Sequence, residues 1–137
     1  MDLYNLFTLI AATFTGASMG SFLFVTLLYK THLKNKKNIN NSLFIYRRLY
    51  RLNSVMCLSA GVTAALVKNQ SAALMLAILA ASYVFNHSHI LKGLVKTCNE
   101  NFDIVNLSTF QSLSRLQNIL HVCQLCGAGY AIYLLAR

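Results

Sequence analysis

The chain has 137 residues, 56% of them apolar and only 11% charged, whereas a soluble chain of this size carries about a quarter charged residues. Lys and Arg number 12 against 3 Asp and Glu, a surplus that would suggest nucleic acid in a soluble protein. In so apolar a chain it is read by position relative to membrane spans, and no nucleic-acid partner is expected. The composition argues against an ordinary soluble domain and predicts one all-α membrane domain whose helices, in a chain without proline, have no proline kinks.

The first predicted helix covers about 3–29. No charge falls between Asp2 and Lys30, so this stretch is long and apolar enough to cross a bilayer. It lacks the basic start of a cleaved signal and exceeds the roughly 7–15 residues of a signal's apolar region, so it is expected to be retained. Ala12, Gly16 and Gly20 recur every four residues, a spacing that clears one helix face for the close approach of another backbone. The following KTHLKNKKNINN reads as a loop. Its Lys30, Lys34, Lys36 and Lys37 form an orienting charge run that can also meet anionic phospholipid headgroups.

A second helix is predicted to start after Asn41, which can cap it, and to end at Val67. Arg47, Arg48 and Arg51 with Tyr46 and Tyr50 place its first third at the interface, arginines snorkelling to headgroups and tyrosines forming an aromatic belt. Its membrane part covers about 50–67. There Ala60 and Ala64, like Gly61 and Ala65, offer a second close-packing face, which suits an antiparallel pair with the first helix. After the KNQS turn a third span covers about 71–91, and Ile90, Leu91, Leu94, Val95 and Cys98 continue at helical spacing as an amphipathic extension. Ser108 or Thr109 can cap a fourth span over about 110–136.

Basic residues sort by connection. The first holds Lys30, Lys34, Lys36, Lys37, Arg47, Arg48 and Arg51, the third Lys92, Lys96 and Arg115, and the second only Lys68. The first and third connections are therefore expected inside, with both termini outside. The inner membrane of a bacterium or mitochondrion is the expected location.

Several residues invite chemistry. Cys123 and Cys126 share one face of the last helix, where a dithiol or metal site is conceivable, but CQLCGAG reads better as a packing seam that continues into Gly127 and Ala131. His87 and His89 lie at the inner end of the third span and His121 within the fourth, so a histidine from each helix is a candidate for haem ligation or a polar relay. An interhelical hydrogen bond accounts for them more simply, and no cofactor is expected. Gln117, Asn118, His121 and Gln124 recur at spacings of three or four, a polar stripe that must face protein or water. The sequence has no phosphate-binding glycine loop, no HExxH, no Ser/His/Asp arrangement and no carboxylate within a span, which argues against an enzyme and against a proton-driven pump.

Gly16, Ala17 and Gly20 followed by FLFVT, a basic loop and SLFIYRRLY resemble the first half of the TMEM205-like four-helix membrane family. Asn86 falls where that family often has Asn, and Phe110, Ser114, His121, Gln124 and Leu125 are similar to its F-x3-H-x6-N-x2-QL pattern, with Ser114 in place of its His and His121 in place of its Asn. The resemblance implies a four-helix membrane fold. The expected role is a non-enzymatic accessory or assembly subunit of a larger membrane complex, respiratory ones included, meeting other transmembrane subunits or further copies of itself. Two alternatives stand beside it: a stand-alone small-solute permeation or resistance protein of the TMEM205-like kind, and a haem-binding membrane anchor.

Overall fold

A computed structural model describes the backbone of residues 3–32, 36–99 and 104–137, and the side chains of 3–24, 43–97 and 108–137. Helix α1 runs Leu3–His32, α2 Lys36–Leu66, α3 Gln70–Phe85, α4 Leu91–Asn99 and α5 Ile104–Ala136, with a π-helical turn at Asn86–Ile90 joining α3 to α4. Among the described residues only 67–69 and Arg137 are non-helical. Three stretches, Leu3–Phe24, Gln70–Thr97 and Ser108–Ala136, are long and apolar enough to cross a membrane.

Two boundaries differ from expectation. The basic stretch expected as a loop is helical on both sides of 33–35, because α1 continues to His32 and α2 already begins at Lys36. Lysine is nearly as good a helix former as leucine, so charge alone does not break a helix. Lys34 lies outside the described residues, as do the side chains of Lys30, Lys36 and Lys37. At the other end α5 begins at Ile104, which puts Ser108 and Thr109 inside the helix instead of at its cap.

The long helices form a ring in which α2 packs against α1 and α3, and α5 closes the circle against the same two, with α4 lying on α5 and α2. The buried positions explain this. In α2 a buried series runs Leu43, Tyr46, Tyr50, Asn53, Cys57, Ala60 and Ala64, with Leu49 and Ser54 buried beside it; in α5 it runs Gln117, His121, Gln124, Ala128, Ala131 and Leu135, with Gly127 beside it; in α1 it is Ala11, Thr15, Ser18 and Phe22. Each series alternates steps of three and four, the heptad seam that packs ridges into grooves in a left-handed bundle. In α3 the series Ala72, Leu76, Leu79, Tyr83, Asn86 keeps the same rhythm, and then the π turn, closed by Leu91 N–H to the Asn86 carbonyl, inserts one residue. The phase shifts accordingly, and Leu91, Leu94 and Thr97 become the buried side of α4.

The largely apolar core also holds polar side chains, while large apolar side chains face outward. Thr15, Ser18, Asn53, Ser54, Asn86, Gln117, His121 and Gln124 are buried, whereas Leu52, Val55, Leu58, Val62 and Leu66 of α2 and Ile119 and Val122 of α5 are exposed. Exposed hydroxyls in α1 are tied up locally: Thr8 donates to the Tyr4 carbonyl at 3.0 Å and Thr13 to that of Leu9 at 2.7 Å.

The α2–α3 turn is a Schellman motif. Lys68 N–H donates to the Ala65 carbonyl and Asn69 N–H to that of Ala64, both at 3.0 Å, with Lys68 at φ 60° in the left-handed region that glycine usually occupies. Asn69 then caps α3 by accepting from Ala72 N–H at 3.1 Å, and its amide donates to the Leu134 carbonyl at 2.9 Å, pinning the turn to the end of α5.

Candidate functional site

Four helices meet in a buried aromatic and polar cluster near the arginine-bearing end of α2. Phe22 of α1, Tyr46 and Tyr50 of α2, Tyr83 of α3 and His121 of α5 are all buried. The His121 ring stands edge-on to Phe22 at 4.5 Å between centroids and stacks on Tyr46 at 5.6 Å. The Tyr50 hydroxyl lies 2.5 Å from His121 Nε2, and Gln117 donates to the same hydroxyl at 2.7 Å. In the arrangement where Gln117 donates to the phenol and the phenol donates onward, His121 is a neutral imidazole with its proton on Nδ1.

A second polar layer lies one heptad step away. Ser21 donates to Asn53 Oδ1 at 3.1 Å, Gln124 donates to the Ser82 hydroxyl at 3.0 Å, and the Ser18 hydroxyl sits 3.8 Å from the Cys57 sulfur. Asn53 Nδ2, Gln124 Oε1 and both side-chain polar atoms of Asn86 are buried without a hydrogen-bond partner. Orphaned groups of this kind cost about 1–3 kcal/mol each, so at these positions fold stability is not optimised. Asn86 opens the π turn, a helix irregularity often met at functional sites. What the cluster offers chemically is hydrogen bonding: a neutral imidazole, three phenols and four amides, with no carboxylate or cation among the described side chains that build it.

The residues singled out from sequence fall in different places. Ala60 and Ala64 are fully buried, and Ala12 is half-buried against the core. Gly127 is buried where an added Cβ would come within 2.9 Å of Leu79 Cδ2 and Met75 Cε, so α5 approaches α3 there. Gly16 and Gly20 instead face outward with nothing within 4 Å of an added Cβ, because within the chain α1 packs through Ala11, Thr15, Ser18 and Phe22. Cys123 and Cys126 are exposed and unbridged, so inside the bundle the α5 seam passes through Gln124, Gly127 and Ala128. Asn118 is also exposed, which narrows the polar stripe to Gln117, His121 and Gln124.

His87 and His89 do not join the cluster. His87 accepts from Arg51 Nε at 3.2 Å, and His89 is exposed and stacked on Phe85 at 5.0 Å. Among the described residues no three His, Cys, Asp or Glu side chains gather as a metal site would require. Arg48 lies over the Phe44 ring at 4.6 Å, and Arg47 lines a cleft with His87, Lys92 and Lys96. Tyr46 and Tyr50, expected as an interfacial belt, are buried at 1% and 0% exposure and build the site. Their spacing with Asn53, Cys57, Ala60 and Ala64 was the signal for this, since a belt residue need not keep heptad phase. Comparisons with protein-family models, curated proteins and solved structures returned no match.

Proposed function

We propose that this chain is a four-span integral membrane protein acting as a non-enzymatic accessory or assembly subunit of a larger membrane complex, in the inner membrane of a bacterium or mitochondrion. The fourth span is α2. Its outward residues from Leu52 to Leu66 are apolar, and its buried ones include Asn53, an inside-out distribution suited to lipid. That apolar face covers about 21 Å at 1.5 Å per residue, short of a core of roughly 30 Å, and Arg47, Arg48 and Arg51 reach headgroups by snorkelling. The basic end is the inner one, with the termini opposite, as the distribution of lysine and arginine requires.

The observation that carries the subunit reading is the outer face of α1. Gly16 and Gly20 lie one turn apart with open space beyond both, so a helix from another subunit can approach to backbone contact there. Native gel migration after mild detergent extraction tests this. A complex much larger than the chain is expected, reduced to the free chain by Gly16→Leu/Gly20→Leu; a small homo-oligomer in the unaltered protein would refute it.

A second reading, small-solute permeation or resistance of the TMEM205-like kind, draws on Asn53, Asn86 and Gln124, whose unpartnered atoms could meet a polar solute in the bundle interior. Solute efflux from proteoliposomes, sensitive to Asn86→Leu, would favour it. For haem carriage His121 would have to give up Tyr50, and His87 its bond from Arg51. An optical spectrum of the purified protein without a Soret band is the expected result.

A further inference from the structure

The basic cleft at the junction of α2 and α4 has a construction that neither the subunit reading nor the buried cluster uses. It encloses about 220 Å³ between Arg47 of α2 and Lys92 and Lys96 of α4, with His87 at its edge and Leu91 and Val95 as an apolar floor. Drug-sized ligands occupy roughly 300–1,000 Å³, so this space suits a small charged group with a short apolar continuation. Arg51 donates through Nε to His87 Nε2 at 3.2 Å, which holds a further guanidinium beside the cleft and turns His87 into an acceptor rather than an added cation.

Cations on two helices, lining one cleft with Leu91 and Val95, match an amphiphile whose anionic end is a phosphate. We propose that the cleft between α2 and α4 is a binding site for an anionic phospholipid, with Arg47 and Lys92 holding the headgroup phosphate and Leu91 and Val95 carrying the glycerol and first methylenes. Guanidinium and ammonium together suit a phosphodiester, the former by its fork of donors and the latter as a point charge. Zwitterionic lipid is discriminated against because its own cationic group would sit beside Arg47 and Lys92. The site rests on the membrane placement above and not on the subunit role, so a lone chain would keep it.

The test uses the full chain, delipidated in mild detergent and offered equimolar phosphatidylglycerol and phosphatidylcholine, with retained lipid counted by native mass spectrometry. A basic residue near an anionic surface contributes about 1 kcal/mol, which corresponds to about five-fold in preference per cation. The unaltered protein is expected to favour phosphatidylglycerol by at least that factor, Arg47→Gln and Lys92→Gln each to cut the preference about five-fold, and Lys68→Gln in the α2–α3 turn to leave it unchanged. Far-UV circular dichroism checks that each variant folds, and Arg47→Lys, which keeps the charge, retains most of the preference if charge is what counts. Equal retention of both lipids, or a preference untouched by Arg47→Gln and Lys92→Gln, overturns the proposal. So does displacement of the lipid by millimolar inorganic phosphate, which would show a site for the free anion. Absence of a high-mass band from the unaltered protein on native gels, with lipid preference intact, would refute the subunit role alone.

Discussion

Replacing Tyr50 by phenylalanine removes one hydroxyl from the cluster and leaves its ring contacts with Tyr46 at 5.7 Å, Tyr83 at 6.4 Å and His121 at 5.8 Å in place. The hydroxyl joins His121 Nε2 and Gln117 Nε2, so its loss strands two buried polar groups of α5. Interhelical hydrogen bonds in membranes are worth about 0.6–2 kcal/mol each, less than the full penalty for an orphaned group, since an unfolded helix in detergent finds other partners. Two such bonds give an expected loss of about 2 kcal/mol for Tyr50→Phe. Gln117→Leu removes one of them, and the double variant should fall short of additivity by about 1 kcal/mol. Titrating mild-detergent micelles with sodium dodecyl sulfate measures this by far-UV circular dichroism and by tyrosine emission, which no tryptophan obscures. A change below about 0.3 kcal/mol for Tyr50→Phe, or strict additivity in the pair, would refute the hydroxyl bridge as a fastener between α2 and α5.

Other perturbations separate packing from exposed surface. Gly127→Val forces a branched side chain toward Leu79 and Met75, and should cost about 1–3 kcal/mol in the same titration, whereas Gly16→Val, with open space around it, should leave the midpoint unchanged. Asn69→Ala loses both the α3 cap and the bond to the Leu134 carbonyl, for an expected loss of about 1–2 kcal/mol and earlier exposure of the turn to protease. Asn86→Leu replaces a buried amide with no partner by an apolar group of similar size, and should raise stability by about 1 kcal/mol while reducing any activity that uses the amide; destabilisation would show that Asn86 has a bound partner in the membrane.

How much of this was legible in the chain depends on whether the property is local. Hydropathy and helix propensity are local, and they suffice for an all-helical chain, for charge gathered toward one end, and for three of the four expected spans, the stretch at about 50–67 not being among those long and apolar enough to cross a membrane. The same local reading misplaced the first connection, since a lysine- and asparagine-rich stretch is polar whether or not it is helical. The site was half visible: Gln117, His121 and Gln124 stand out as a polar stripe without reference to any other helix, and their burial follows from the expense of exposing them to lipid.

Which face of each helix turns inward was decided only by the tertiary structure. In a soluble protein apolar residues mark the inside, but next to lipid both surroundings are apolar, and a leucine reports neither. Small residues four apart therefore identified a smooth stripe on α1 without saying whether the chain itself would use it. The bundle packs instead through Ala11, Thr15, Ser18 and Phe22, because their alternation of four and three meshes with the seams of α2 and α5, and Gly16 and Gly20 are left facing out. Tyr46 and Tyr50 went inside for the same reason, where His121 gives one of their hydroxyls a partner that no helix alone could supply.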